Sequence, residues 1–263
     1  MKRTAMVVLA AGALAAQTAL PPQLRDVGID QRLNARVPLE LGFRDESGAP
    51  VALRSYFGRR PVVLALVYYE CPMLCTMVLN GLLKSLRAIN LDAGRDFEVV
   101  TVSFDPSETH ELAAAKKQSY VERYSRPTAA AGWHFLTGEE EAIRKLTQAV
   151  GFRYKYDPAT NQFAHASAIM VLTPDGRLAR YLYGIEYAPR DLRLALVEAA
   201  AGKIGTAVDQ VLLYCFHYDP ATGKYSLLIM NIIRAAGAAT VVALGLFMLV
   251  MFRRDRRRKM QRV

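Results

Sequence analysis

The chain has 263 residues, 52% of them hydrophobic and 22% charged, with a formal net charge of +10 at neutral pH. That length leaves room for about one ordinary domain once both ends are set aside; from Leu20 to Ser226, 24 Lys plus Arg face 23 Asp plus Glu, a net of only +1. The cationic excess therefore sits at the ends, which argues against nucleic acid as a partner, and an odd count of three cysteines argues against a disulfide scaffold.

In chain order, Lys2 and Arg3 precede an uncharged apolar run from Ala5 to Ala16 and small residues around Ala13-Leu14-Ala15, the pattern of a secretory signal peptide at 1–19. A linker is expected at 20–35. Leu39 to Phe43 and Val51 to Leu53 flank the turn-forming Asp45-Glu46-Ser47-Gly48, which predicts a small hairpin. Pro61 to Tyr69 is continuously apolar and partly β-branched, as a central strand buried on both faces should be. Directly after it, Leu74, Val78, Leu82, Leu86 and Ile89 recur at spacings of three and four, predicting a helix over 72–89 with Pro72 in its first turn.

A second buried strand is expected at Phe97 to Phe104, a helix over Glu111 to Tyr124 and a short strand at Trp133 to Leu136. Glu139-Glu140-Glu141 supplies acidic residues where a helix N-terminus favours them, opening a helix that runs to Val150. Ala168 to Leu172 and Leu178 to Tyr183 flank Thr173-Pro174-Asp175-Gly176-Arg177, which has hairpin chemistry, and a last helix follows at Arg190 to Ala200. This order is that of an α/β thioredoxin-like fold, a central mixed sheet flanked by helices.

Beyond it, Ala235 to Phe252 carries no charge, Leu227 to Ile233 extends it upstream, and Arg253, Arg254, Arg256, Arg257, Arg258 and Lys259 follow at once. The apolar length predicts a C-terminal transmembrane helix at 227–252, and the cations a cytoplasmic tail at 253–263. The expected organisation is thus a domain at 36–202 and a juxtamembrane segment at 203–226, with the domain on the extracytoplasmic side of the inner membrane, attached to it by a single pass.

The chemistry centres on Cys71-Pro72-Met73-Leu74-Cys75, where a strand gives way to a helix. Thiols four apart on a helix share one side and can converge on a metal ion or on each other. Unpaired donors at a helix start favour a thiolate, which is both a nucleophile and a soft-metal ligand. Among the histidines, His165 has the best position, because the loop before the Ala168 strand returns beside the cysteine helix in a thioredoxin-like sheet. Met73 offers a thioether, though it reads first as a packing residue. Cys215 and His217, two apart in an aromatic stretch, are candidates for a second metal site or an interfacial cluster.

Cys71-Pro72-x-x-Cys75, Asp105-Pro106 after the next strand, His165 and then Pro174-Asp175-Gly176 together resemble the Sco (SCO/SenC) family of membrane-tethered copper proteins, over roughly Arg36 to Gly202. Thr76 stands where many relatives have a second proline, and Asp105 to Thr109 is one residue shorter than the usual acidic motif. The resemblance implies that Cys71, Cys75 and His165 bind copper, as Cu(I), Cu(II) or both. It also implies partners: cytochrome c oxidase subunit II, whose binuclear copper site the protein would load, and a copper donor protein. Asp105 and Glu108 are candidates for docking or for the electrostatics of the site, with helix capping as the alternative. Two thiolates and an imidazole suit copper independently of the resemblance; zinc takes the same ligands, but a closed zinc site normally has four and no fourth is evident. The expected function is a carrier and not an enzyme. The rival is a thiol-disulfide oxidoreductase that uses the same two cysteines to reduce the oxidase thiols.

Overall fold

The structure is a computed structural model that describes residues 26–205, 218–219, 224–225 and 227–260. It divides into two units, one ending at Ile204 and one beginning at Gly205.

The first unit is organised by β4 (Val62–Val67), whose six residues are all buried, so both faces of the strand are covered. It pairs in parallel with β5 (Glu98–Ser103), Val62 opposite Glu98, and β5 pairs in parallel with β6 (Trp133–Leu136). On its other side β4 meets β9 (Ala168–Leu172) antiparallel, and β9 turns into β10 (Leu178–Tyr183), giving the sheet order β10-β9-β4-β5-β6. The β9–β10 turn needs Gly176, whose φ of +82° is open chiefly to glycine. The small hairpin is present as β2 (Gly42–Arg44) and β3 (Pro50–Ala52), with the Asp45 carboxylate accepting from Ser47 and Ala49 amides in its turn.

The helices are α1 (Leu74–Ala88), α2 (His110–Tyr124), the single turn α3 (Ala129–Gly132), α4 (Glu140–Ala149) and α5 (Pro189–Ala200). The apolar stripe of α1, including Val78, Leu82 and Leu86, is fully buried, each such side chain contributing roughly 1.5–3 kcal/mol. Gly81 lets α1 come close to the chain before α5: a Cβ there would lie 1.8 Å from the carbonyl oxygen of Ile185. Tyr120 of α2 packs on Trp133 and Phe135 of β6, and the Trp133 indole donates to the Thr101 hydroxyl at 3.0 Å.

Two features differ from expectation. Residues 151–165 form a hairpin of β7 (Phe152–Asp157) and β8 (Gln162–His165), which builds a second sheet with β1 (Gly28–Ile29) from within the expected linker. And α1 begins at Leu74, not at Pro72, because Met73 at φ −142° and ψ −70° is not helical, so Cys71 lies in the loop and only Cys75 on the helix.

In the second unit a two-stranded ribbon, β11 (Tyr218–Asp219) with β12 (Lys224–Tyr225), precedes α6 (Leu227–Met260). The expected membrane-spanning helix is corrected here: among the described residues, no helix is long and apolar enough to cross a membrane. Leu227–Ile233 and Ala235–Phe252 lie in one continuous helix with Arg234 between them, so their apolar lengths do not add. The leader expected at 1–19 and the pair Cys215 and His217 lie outside the described residues.

Candidate metal centre

Three elements meet at the C-terminal edge of β4. The strand delivers Tyr68 and Tyr69 into the loop that carries Cys71; α1 carries Cys75; and β8 ends on His165. The Cys71 and Cys75 sulfurs and a His165 ring nitrogen all lie within 4.8 Å of one another. His165 Nε2 stands 3.3 Å from Cys75 Sγ, and both cysteines are buried and free of disulfide.

The histidine is held by its surroundings. Its Nδ1 lies 2.9 Å from the carbonyl oxygen of Ala166, which can only accept, so Nδ1 carries the proton and Nε2 faces the sulfurs. Its ring meets Tyr68, Phe104 and Phe152 at centroid distances of 5.9, 5.2 and 6.2 Å. Phe104 follows β5 and is also packed by Tyr154 and Phe163. The β7–β8 hairpin is thus seated on the main sheet through aromatic side chains, and this seating aims His165 at the cysteines.

The thiols are unequal. The Cys75 amide donates to Cys71 Sγ at 3.3 Å, and hydrogen bonds from Cys75 and His165, the Cys75 side chain foremost, lower the Cys71 pKa to about 3. Burial, then the neighbouring Cys71, push the Cys75 thiol up, although the Tyr68 amide donates to its sulfur at 3.3 Å. Cys71 is the first of the pair to ionise. Burial, reinforced by both cysteines, also raises the Tyr68 phenol.

The loop is fixed by Glu108, whose side chain is directed inward. One carboxylate oxygen accepts from the Glu70 amide at 2.7 Å and the other from the Tyr69 amide at 2.7 Å and the Ser103 hydroxyl. Burial raises its pKa despite these donors. Tyr69 is held at its far end too, where its hydroxyl donates to the Leu136 carbonyl at 2.8 Å. Asp105 instead organises its own turn, accepting from the Ser107 amide at 2.9 Å. It also lines an open cavity of about 780 Å³ beside the site, with Tyr68, Glu70, Pro72, Glu140 and Tyr154.

Of the residues singled out in the sequence, the fold brings together Cys71, Cys75 and His165, puts Glu108 beneath the cysteine loop and leaves Asp105 in the groove. Sequence reasoning missed the hairpin and its aromatic seat. The alternation in Phe152-Arg153-Tyr154-Lys155-Tyr156 was the signal that could have found them. The donor set fits copper: two soft sulfurs, and a nitrogen whose lone pair is left free by the bond at Nδ1.

A family model described as SCO1/SenC matches residues 30–200. A curated relative described as a SCO1 protein homolog, from Bacillus subtilis, is 28% identical over 169 residues, covering 60% of this chain and 80% of its own. Among solved structures, a putative electron transfer protein from Aquifex aeolicus is 28% identical with a TM-score of 0.58, covering 65% of this chain and 96% of its own. Arabidopsis thaliana ScoI with copper bound has the same fold at 18% identity and a TM-score of 0.50, covering 65% of this chain and 99% of its own.

Proposed function

This chain belongs to the SCO1/SenC family, and from that premise we propose that it is a copper carrier that holds its cargo between Cys71, Cys75 and His165 and delivers it to the binuclear copper site of cytochrome c oxidase subunit II. The observation that carries the proposal is the convergence of two sulfurs and a tautomer-fixed imidazole nitrogen within 4.8 Å at a strand-to-helix junction. Soft sulfur selects Cu(I), and the nitrogen widens the site toward Cu(II). Burial of both cysteines keeps water away from the cargo, while the position of Cys71 in a loop gives an incoming thiolate a ligand it can displace. The donor that supplies the copper is a separate protein in this reading.

The test is transfer. Copper-loaded protein mixed anaerobically with the apo soluble domain of subunit II should lose copper as that domain gains it, read as the copper content of the two proteins after separation. Loading of that site at the rate given by free copper would refute delivery. An extracytoplasmic position for the domain is part of the proposal: protease added to intact spheroplasts should degrade it, and its survival until lysis would count against this. The rival reading, a reductase of the oxidase thiols, draws support from the low Cys71 pKa, which suits a nucleophile in disulfide exchange. It gives no role to the fixed His165.

A further inference from the structure

Beside the buried cluster the protein exposes two methionines that the cluster does not use. Met73, between the cysteines, is 67% exposed and Met77 is 39% exposed, the only large apolar side chains so open among the described residues of α1 and the loop before it. The Met77 amide donates to the Met73 carbonyl oxygen at 3.0 Å, so the two residues stand one turn apart, Met73 as the cap of α1 and Met77 in its first turn. The part of an apolar side chain that stands in water adds nothing to stability. A thioether, however, is a neutral soft ligand that takes Cu(I) and discriminates against the harder ions that compete for carboxylates. Met73 is covalently between Cys71 and Cys75, so a metal ion on it is already at the mouth of the cluster. Glu70, Asp105 and Glu140 in the adjoining groove add a negative field that draws a cation toward the same edge.

We propose that Met73 and Met77 form a landing site for Cu(I), which receives the ion from its donor and passes it inward to the cysteines. The proposal rests on the copper-carrier reading for its cargo, but not for its chemistry. The step is ligand exchange: thioether–copper bonds break as thiolate–copper bonds form, copper stays Cu(I), and any remaining thiol proton leaves to water.

The test uses the reduced full-length chain with ε-13C-labelled methionine and Cu(I) supplied as its acetonitrile complex. In the variant Cys71→Ser/Cys75→Ser/His165→Ala the Met73 and Met77 methyl signals should shift with added Cu(I), and in Met73→Leu/Met77→Leu on that background the binding should vanish. In the otherwise native protein, Met73→Leu/Met77→Leu should slow Cu(I) uptake from a chromogenic chelator about tenfold, equivalent to ~1.4 kcal/mol of barrier, and leave the final copper content unchanged. Leucine matches methionine in volume and helix preference, so the fold is preserved. Methyl signals that ignore Cu(I), together with unchanged uptake, would overturn the proposal and leave the pair as a contact surface. If the native cysteine site itself takes no copper while the methyl signals still shift, the carrier reading fails and the thioether site stands.

Discussion

Replacement of Glu108 by Ala perturbs the site without touching any candidate ligand. The side chain satisfies two backbone amides, Tyr69 and Glu70, each at 2.7 Å, together with the Ser103 hydroxyl. A buried amide left without a partner costs about 1–3 kcal/mol, and bonds to a charged acceptor stand at the upper end of that range. The Glu70 amide is near enough to the surface for water to replace part of the loss, so the sum is about 2–4 kcal/mol. For a domain of this size each kcal/mol lowers Tm by roughly 2–4 °C, so calorimetry should find a drop on the order of 10 °C. Glu108→Gln should fall between, since an amide nitrogen would then face a backbone donor. Because the freed loop carries Cys71, copper affinity should drop in both variants, whereas Asp105→Ala, which opens only an exposed turn, should leave affinity intact. An Ala variant that melts within about 2 °C of the parent, the shift expected of a minor surface change, and binds copper normally would show that the clamp does not hold the loop.

Thiolate absorbance of the reduced protein should persist on acidification until the pH nears 3, the value to which Cys71 is lowered; absorbance that appears only near pH 9 would contradict the assignment. With the folded value depressed, the thiolate's contribution to stability is complete above the ordinary thiol range and is lost progressively as pH falls from about 9 toward 3. His165→Ala should abolish stable Cu(II) binding and weaken Cu(I) by at least about tenfold, or ~1.4 kcal/mol, while the dithiol reduction potential moves little; equal Cu(II) affinity in the variant would remove the histidine from the site. Gly81→Ala sets a Cβ 1.8 Å from a backbone oxygen that cannot retreat alone. It should cost about 1–3 kcal/mol in urea unfolding, and an unchanged midpoint would show that α1 sits farther from Ile185.

Much of this was legible in the sequence because the main sheet is built from fully buried strands, whose unbroken apolar runs, such as Val62–Val67, are hard to mistake. Ligand candidates were legible for a related reason: cysteines at a strand-to-helix junction and a histidine before a strand are placed by the topology alone. The β7–β8 hairpin escaped notice because it lies on a separate small sheet, with Arg153, Lys155 and Tyr156 facing water, and its meaning emerges only when Phe104 is seen beneath it. The role of Glu108 depends on a contact 38 or 39 residues away in the chain, which no local pattern encodes. The start of α1 moved past Pro72 because Met73, at φ −142° and ψ −70°, leaves the helical region, which the spacing of apolar residues does not report. At the C-terminus, apolar composition suggested a span, but among the described residues no helix is long and apolar enough to cross a membrane.

The central claim is that Cys71, Cys75 and His165 form one copper site. Anaerobic titration of the reduced full-length chain with Cu(I), against a competing chelator, tests it most directly. The account predicts one tightly held ion per chain, lost in Cys71→Ser and in Cys75→Ser and weakened in His165→Ala. Binding that is unsaturable, or that survives unchanged in either serine variant, would contradict it.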